Sequence, residues 1–262
     1  MITSTQNQQI KEVVKLIVDA QERRKTNLFA IEGARELSVA VSAGFNIRKL
    51  FVCEEFFTET GEKLVSKLKI PTEKVSVEGF QKMAYREKSD GIIAVSASKQ
   101  LSLDKMKLSA NPFVIILEAV EKPGNMGAVL RTADAAGVDA VIVCDPKTDI
   151  YNPNVIRSSI GCVFTKQVVA CSSEEALQWL KKTGISIFAA ELAASEWYHE
   201  TDFTQPSAIV MGTEADGLTD YWLRNADRRI KIPMRGYIDS LNVSVSTAII
   251  TFEAMRQRNF VK

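Results

Sequence analysis

The second half of the chain alternates short apolar runs with amphipathic segments, and this alternation constrains the fold more than any other feature. The apolar runs are 113–118, 140–144, 163–170, 185–190, 207–211 and 229–233. Continuous apolar runs of this length are typical of strands buried on both faces, as in a parallel sheet covered by helices. The pattern therefore predicts an α/β domain with a largely parallel sheet over residues 112–262.

The glycines of this domain argue against two common nucleotide-binding folds. No Gly-x-Gly-x-x-Gly follows the first strand, so the ordinary dinucleotide-binding loop is missing. A Gly-x-x-x-x-Gly-Lys-Ser/Thr phosphate loop is missing as well. The candidate loop glycines come late instead, at Gly212, Gly217 and Gly236. These absences disfavour a small-molecule enzyme built on an ordinary doubly wound sheet.

The first hundred residues alternate in the same way on a smaller scale. Predicted helices cover 7–26, 34–43 and 62–68, and predicted extended segments cover 28–31, 47–53, 75–77 and 91–96. This order predicts a small α/β domain over residues 1–98. Residues 99–111 contain Lys99, Lys105, Lys107 and several serines, and we predict that they form a linker.

The overall charge does not by itself indicate a nucleic-acid-binding protein. The 33 Lys and Arg residues against 32 Asp and Glu residues give a net charge of +1, whereas many such proteins are strongly basic. RNA binding would therefore rely on local patches. The candidates are Lys11, Lys15, Arg23, Arg24 and Lys25 near the N-terminus, and Arg224, Arg228, Arg229 and Arg235 further on.

Cysteine and histidine usage argues against a metal site and a disulfide framework. Four cysteines without a Cys-x-x-Cys pair, and a single histidine, His199, lack the spacing of a zinc site. No run approaches the ~20 apolar residues that span a membrane, and the N-terminus lacks the layout of a signal peptide. We therefore predict a cytoplasmic protein with neither a metal nor a membrane partner.

Residues 232–249 combine a strand end, a polar glycine loop and a capped helix. Pro233 marks the strand end, because proline cannot donate to a ladder, and Gly236 permits backbone angles that other residues avoid. The candidate N-caps are Asp239, Ser240 and Asn242. The predicted apolar face of the helix consists of Val245, Ala248, Ile249, Phe252 and Met255. Such an arrangement is suited to bind a ligand at a helix N-terminus.

Two further loops follow predicted strands. Lys122-Pro-Gly interrupts the chain after the first strand, and Asn125 is predicted to lie in this loop, before a helix over 127–136 that contains Arg131. Gly212-Thr-Glu-Ala-Asp-Gly-Leu follows the strand 207–211. Each feature has an ordinary structural interpretation, since Arg131 fits a solvated helix face and Glu214 fits a helix cap.

Together the three loops resemble, in the same order, the three signatures of the SpoU (TrmH-like) RNA 2′-O-ribose methyltransferases of the SPOUT superfamily. The third signature runs Ile-Pro-Met, a glycine two residues on, and Ser-Leu-Asn-Val-Ser-Val, and the chain carries all of it from Ile232 to Val245. The resemblance implies a C-terminal SPOUT domain with a deep trefoil knot that binds S-adenosylmethionine through its C-terminal loops. One departure is Glu121-Lys-Pro-Gly, where many relatives have Asp-Pro, but Asn125 stays in place.

The N-terminal domain is similar, more loosely, to the substrate-binding domain that precedes many SpoU catalytic domains and that resembles ribosomal proteins which bind kinked RNA. The matching stretches are Phe29-Ala-Ile-Glu-Gly, the helix after it and the Lys49-Leu-Phe-Val strand. The resemblance therefore implies an α/β RNA-binding domain at 1–98, a linker at 99–111 and a catalytic domain at 112–262.

The resemblance also implies roles for individual residues. It places Gly212, Ile232 and Leu241 at the cofactor, with the 190–192 loop nearby. The polar site positions that match are Asn125, Arg131, Glu214, Ser240 and Asn242. A further stretch of Arg157, Ser158, Ser159 and Gly161 also resembles the family, as a phosphate contact or as a structural turn.

Arg131 matches the family position that is proposed to activate the 2′-hydroxyl. A guanidinium hardly deprotonates in proteins. The more defensible role is therefore to lower the pKa of the hydroxyl and to hold the adjacent phosphate. Bulk water or a phosphate oxygen would then take the proton.

The function implied is S-adenosylmethionine-dependent methylation of a ribose 2′-hydroxyl in RNA. The N-terminal domain favours ribosomal RNA of the 23S type, because relatives that act on transfer RNA often lack it. The alternatives are a transfer-RNA 2′-O-methyltransferase and a non-catalytic RNA-binding protein that retains the fold. A homodimer is predicted through the helices after Asn125 and Asn242, so that Arg131 can act near the cofactor pocket of the partner.

Overall fold

The computed structural model of the chain describes residues 1–85, 89–194 and 196–260. Its helices are α1 (Gln8–Val18), α2 (Ala20–Thr26), α3 (Ala34–Ser42), α4 (Glu59–Lys67), α5 (Val77–Met83), α6 (Pro123–Ala135), α7 (Pro153–Ser158), α8 (Cys162–Thr165), α9 (Ser173–Thr183), α10 (Asp220–Asn225) and α11 (Val243–Gln257). Its strands are β1 (Leu28–Glu32), β2 (Ile47–Val52), β3 (Thr72–Lys74), β4 (Ile92–Ala97), β5 (Phe113–Glu118), β6 (Ala140–Cys144), β7 (Gln167–Cys171), β8 (Ser186–Ala190), β9 (Glu196–Trp197), β10 (Ser207–Met211) and β11 (Arg228–Lys231).

These elements form two compact units. The first unit contains Met1–Lys99 and Asp149–Thr165, and the second contains Gln100–Thr148 and Lys166–Lys262. Residues 149–165, predicted to belong to the catalytic domain, pack within the first unit. A single cut near residue 100 therefore does not describe how the chain is packed.

The first unit is built on a four-stranded sheet in the order β1–β4–β2–β3. The strand β4 pairs antiparallel with β1 and β2, and β3 pairs parallel with β2. One face of the sheet packs against α1 and α5, whose buried side chains include Ile10, Val13 and Phe80. An amphipathic helix over a small sheet supplies the single apolar core that such a unit needs.

A buried ion pair and an aromatic stack fix Asp149–Thr165 within this unit. The Arg23 guanidinium donates to the Asp149 carboxylate at 2.5 Å and to the Leu16 carbonyl at 2.7 Å. The Tyr151 ring stacks on Phe29 with ring centroids 4.3 Å apart. The side chains of Arg23 and Asp149 are only 5% and 12% exposed. Removing either partner would leave an uncompensated buried charge, which is strongly destabilising.

Two predictions about the first unit were wrong in detail. The predicted helix 7–26 is divided at Asp19, because the Asp19 carboxylate accepts from the backbone N–H of Gln21 at 2.7 Å and begins a second helix. The predicted extended segment 75–77 runs into α5, because Ser76 caps that helix through the backbone N–H of Gly79. Short polar side chains start helices in this way.

The second unit contains a seven-stranded sheet in the order β7–β6–β5–β10–β8–β11–β9. Its strand pairings are all parallel. Every residue of β5, β6 and β10 is buried, as expected for strands covered on both faces. The predicted α/β class with a largely parallel sheet is confirmed.

Three predicted strands of this sheet have different bounds, of which 185–190 differs only in that β8 begins at Ser186. Residues 163–165 belong to α8, because Gly161 at φ +83° ends the preceding turn and its carbonyl accepts from the Phe164 N–H at 2.9 Å. The last strand, β11, ends at Lys231, before Pro233. The predicted linker 99–111 contributes Leu103, Met106 and Leu108 to the core of the second unit.

Helices pack on both faces of the sheet. One face is covered by α9 and α10, whose Leu180 and Trp222 are buried against β5, β6, β8 and β10. The helices α6 and α11 pack against each other, with α6 also against β6 and α11 against β10. The carboxyl ends of the strands therefore remain open for loops, which is where ligands bind in sheets of this kind.

The predicted apolar stripe of α11 lies mostly outside the core, although its Met255 is buried. The buried side chains of α11 are Val243, Thr247, Ile250, Thr251, Ala254 and Met255. From the predicted set Val245 is 46% exposed and Phe252 is 42% exposed. The helix has apolar residues on two faces, and periodicity identified the more exposed one.

Candidate active site

A cavity of about 470 Å³ opens at the carboxyl ends of β8, β10 and β11. This volume lies within the range of small-molecule and cofactor sites. The predicted cofactor residues Gly212, Ile232 and Leu241 all line it, and so do Ala190, Glu191 and Leu192 of the predicted neighbouring loop. The structure thus brings together three segments that are far apart in sequence.

The lining suits a ligand that is partly apolar and partly polar. Apolar side chains come from Met211, Ile230, Ile232, Leu241, Val243 and Ile250, and polar ones from Thr213, Asp239, Ser240 and Ser246. The adenine ring of a nucleoside needs an apolar slot with backbone hydrogen-bonding groups at its edge, and loops at strand ends supply both. The residues present therefore fit an adenosine-containing cofactor such as S-adenosylmethionine.

The loop after β10 folds tightly onto its own backbone. The N–H of Thr213 donates to the carbonyl of Gly217 at 2.9 Å, and the N–H of Gly217 donates back at 3.2 Å. A Cβ on Gly212 would lie 2.2 Å from the Gly217 carbonyl carbon, so only glycine fits there without a shift of the backbone. Gly212 is thus required by the loop itself, whatever the cavity holds.

A buried carboxylate holds the far end of this loop. The Glu118 side chain, at the end of β5, accepts from the Thr219 N–H at 2.9 Å and from the Thr219 hydroxyl at 2.6 Å. Glu118 is 3% exposed, and buried carboxylates require such partners. The contact fixes Leu218 and the start of α10 beside the sheet.

A polar cluster of Lys122, Asn125, Glu214 and Asn242 lies beside the cavity, and Glu214 also lines the cavity. The Asn125 amide donates to Glu214 Oε1 at 2.9 Å, and the Asn242 amide donates to the same oxygen and to Asn125 Oδ1 at 3.1 Å. The Lys122 ammonium donates to Glu214 Oε2. Three of the predicted polar residues therefore meet on one carboxylate.

Two helix N-termini supply these amides. Asn242 is the N-cap of α11, and its Oδ1 accepts from the Ser244 N–H at 2.9 Å. Asn125 was predicted in a loop, but it lies in the first turn of α6, which begins two residues earlier at Pro123. Proline fits the first helical position, where its missing N–H costs nothing.

The Lys122 hydrogen bond lowers the pKa of the Glu214 carboxyl, and the Asn125 amide contributes to the same shift. Both carboxylate oxygens accept hydrogen bonds, which favours the ionised form. A carboxylate whose pKa is lowered is a poor proton acceptor at neutral pH. The geometry therefore makes Glu214 an anchor for the two asparagines.

The other two predicted polar residues are placed differently. Ser240 lines the cavity, and its hydroxyl donates to Asp239 Oδ1 at 3.1 Å. Arg131 is exposed on α6 and does not line the cavity. Over residues 1–85, 89–194 and 196–260, no hydrogen bond or ion pair to its guanidinium is found.

Lys122 was not predicted as a site residue. It precedes α6 and reaches a carboxylate 92 positions later in the chain. A possible signal was its place directly after the first buried strand of a parallel sheet, where loop residues converge. Met211, Thr213 and Val243 also line the cavity without having been predicted there.

Neither a metal cluster nor a membrane helix is found in the part of the chain that the structure describes. No group of three or more His, Cys, Asp or Glu side chains there has the geometry to hold a metal ion. No helix there is both long and apolar enough to cross a membrane.

Comparison with family models gives two matches. Residues 112–252 match the SpoU rRNA Methylase family. Residues 7–94 match an MRM3-like substrate binding domain. The two matches together extend over most of the chain, and the first contains the cavity and the polar cluster.

Individual relatives and solved structures agree with these matches. The chain is 30% identical to the 23S rRNA (guanosine(2553)-2′-O)-methyltransferase RlmP of Bacillus subtilis, over 96% of this chain and 97% of that protein. It is similar to a crystal structure of an RNA 2′-O ribose methyltransferase, with 38% identity, a TM-score of 0.87, and coverage of 98% and 99%.

A second structure is the SpoU methyltransferase AviRb of Streptomyces viridochromogenes, solved in complex with the cofactor AdoMet. The identity to AviRb is 25%, the TM-score is 0.91, and 97% of this chain and 99% of that chain are covered. The family match over more than half of the chain and the relative of 30% identity over almost its full length lead to one conclusion. The chain belongs to the SpoU rRNA methylase family.

Proposed function

We propose that this protein transfers a methyl group from S-adenosylmethionine to a ribose 2′-hydroxyl of 23S-type ribosomal RNA. The observation that carries the proposal is the position of the polar cluster on the rim of a cofactor-sized cavity, with Glu214 shared between the two. Relatives that match almost all of this chain are named as 23S rRNA 2′-O-methyltransferases. A related structure contains AdoMet, and the cavity of this chain has a suitable lining.

The cavity supplies binding and orientation. The bound cofactor would supply an electrophilic methyl group on a sulfonium. Gly212, Ile232 and Leu241 would hold it with backbone groups and apolar side chains at the strand ends. Methyl transfer to oxygen is an in-line displacement, so fixing the hydroxyl and the methyl group relative to each other removes much of the barrier.

The polar residues would act on the ribose. Arg131 would lower the pKa of the 2′-hydroxyl and hold the adjacent phosphate with its planar fork of donors. The proton would leave to water or to a phosphate oxygen, because the lowered pKa of Glu214 makes its carboxylate a poor proton acceptor. Ser240 and Asn242 would position the nucleotide at the mouth of the cavity.

The first unit would bind the RNA. Residues 7–94 match a substrate binding domain, and basic side chains such as Arg24 and Lys25 are exposed there. We also place the protein in the cytoplasm, where ribosomal RNA is its substrate, and infer that the loops around the cavity thread a deep trefoil knot, as the SPOUT resemblance implies.

A homodimer is part of the proposal. Val245 and Phe252 stand two helical turns apart on the same side of α11 and are exposed, and an apolar stripe of this kind favours association. Arg131, exposed and outside its own cavity, would then reach the cavity of the partner subunit. We expect sedimentation to give about twice the 29.0 kDa chain mass.

Mixing subunits tests the shared site. Arg131→Ala and Asn242→Ala chains should each be inactive, and a mixture should recover activity because one of its two sites is intact. A dimer without recovery would refute the shared site, and an active monomer would refute the dimer as well.

Transfer of a labelled methyl group tests the function. Purified protein should transfer methyl groups from S-adenosylmethionine to 23S ribosomal RNA transcripts, and to transfer RNA much less. Preferred transfer to transfer RNA would support the alternative substrate. RNA binding with no affinity for S-adenosylmethionine by calorimetry would show a non-catalytic protein that retains the fold.

A further inference from the structure

Lys122 closes the polar cluster from the side opposite to the two asparagines. Both amides donate to Oε1 of Glu214, whereas the Lys122 ammonium donates to Oε2. The two oxygens of this carboxylate are therefore held from two directions. Since Asn125 lies in the first turn of α6 and Asn242 is the N-cap of α11, the orientation of Glu214 is coupled to both helix N-termini.

The amide of Asn242 has little freedom once this carboxylate is fixed. Its Nδ2 donates to Glu214 and to Asn125 Oδ1, while its Oδ1 accepts from the N–H and the hydroxyl of Ser244 at 2.9 and 2.6 Å. A rotation of Glu214 would break the first of these bonds and let the amide turn. Lys122 thus restrains Asn242 through Glu214 without touching it.

Lys122 is also the charged side chain that acts on Glu214. The nearby Lys147 ammonium donates instead to Glu121 at 2.6 Å and is also attracted by Asp216. The Lys122 side chain is 70% exposed and that of Glu214 is 27% exposed. An ion pair this exposed adds little to stability, so its effect is expected in the geometry of the site.

We propose that Lys122 is a positioning residue for methyl transfer, which holds the Glu214 carboxylate in the orientation that lets Asn125 and Asn242 face the ribose correctly. This inference rests on the proposed function. Lys122 does not touch the reacting atoms in this account. It acts on the chemical step through Glu214, and cofactor binding in the cavity does not depend on it.

A different role for Lys122 would be direct contact with an RNA phosphate, and the two roles differ in what they change. Loss of a phosphate contact raises the KM for RNA and weakens the salt dependence of RNA binding. It leaves the pKa of Glu214 unchanged. Loss of a positioning residue lowers kcat at saturating RNA and raises the pKa of Glu214.

The test compares Lys122→Met with Lys122→Arg and with the control Lys147→Met, which removes an exposed lysine that pairs with Glu121 outside the cluster. The pKa of Glu214 is measured by carbon NMR of glutamate-labelled protein, with Glu214→Gln to assign the signal. Turnover and KM for RNA are measured on the same samples.

In the wild-type protein the Glu214 carboxylate should persist to lower pH than an ordinary glutamate. Lys122→Met should move its titration to higher pH and lower kcat about tenfold, with an unchanged KM for RNA and unchanged calorimetric affinity for S-adenosylhomocysteine. Lys122→Arg should restore both the titration and most of the turnover, and Lys147→Met should behave as wild type.

An unchanged Glu214 titration in Lys122→Met, or a higher KM for RNA with normal kcat, would overturn the positioning role. If Lys122→Met does not fold, Lys122→Gln is measured in its place with the same outcomes. Inactive wild-type protein would instead contradict the proposed function, and the NMR titration would still decide whether Lys122 controls Glu214.

Discussion

The cavity and the polar cluster lie side by side but are built in different ways. The cavity is lined by segments that follow three neighbouring strands of the sheet, and its position follows from the parallel topology. The polar cluster depends on three side chains that meet on the Glu214 carboxylate, and its contacts join residues up to 117 positions apart in sequence. Binding and chemistry are therefore expected to be separable by mutation, with the cavity governing affinity and the cluster governing turnover.

Arg131→Ala should produce the largest difference between the loss of turnover and the loss of cofactor affinity. If Arg131 stabilises the developing oxyanion as proposed, its loss should lower kcat roughly 100-fold. Affinity for S-adenosylhomocysteine should be nearly unchanged, because the guanidinium would act on the ribose and its phosphate rather than on the cofactor. Single-turnover kinetics and calorimetry measure the two effects.

Arg131→Lys is the matched control for charge. A point ammonium cannot replace a planar fork, so this variant should recover little of the turnover. Equal losses of affinity and turnover in Arg131→Ala would mean that the residue is structural.

Gly212→Ala should have the opposite effect, with cofactor affinity lowered more than turnover. The added Cβ would lie 2.2 Å from the carbonyl carbon of Gly217, and relief of the clash should displace the loop that lines the cavity at a cost of about 2 kcal/mol. We expect a lower melting temperature and weaker cofactor binding. Gly124→Ala is the control, because a Cβ there meets no atom within 4 Å. Normal cofactor affinity in Gly212→Ala would show that this loop does not contribute to cofactor binding.

Ile232→Ala should also lower cofactor affinity without lowering turnover, but by a smaller amount. Removal of a side chain that lines the cavity should weaken binding of S-adenosylhomocysteine about tenfold, equivalent to ~1.4 kcal/mol of lost apolar contact. Turnover at saturating cofactor should stay near the wild-type value. The control is Val18→Ala, an exposed apolar truncation in the first unit. A fall in kcat alone would place Ile232 with the polar cluster instead.

The sequence predicted the parts of this comparison that depend on local pattern. Strands 113–118, 140–144 and 207–211 were correct to the residue, because continuous apolar runs between polar breaks have few other interpretations. The grouping of Gly212, Ile232 and Leu241 followed from the family resemblance and agrees with the sheet, since parallel strand ends meet at one edge.

The features that were missed depend on contacts between distant residues. The pairing of Arg23 with Asp149 draws 149–165 into the first unit, and no local pattern reports a contact over 126 positions. The buried face of α11 was not recognised because it carries Thr247 and Thr251 among its apolar residues. Lys122 belongs to no sequence motif. Its proposed role follows only from its contact with Glu214 in the structure.

The position of the transferred methyl group distinguishes ribose methylation from every other outcome. Ribosomal RNA treated with the protein and S-adenosylmethionine is digested to nucleosides, and mass spectrometry of the fragments locates the added 14 Da on the ribose or on the base. The account predicts one ribose-methylated nucleoside in 23S ribosomal RNA, absent with Arg131→Ala. Methylation of a base, or no methylation with a cofactor that binds, would contradict it.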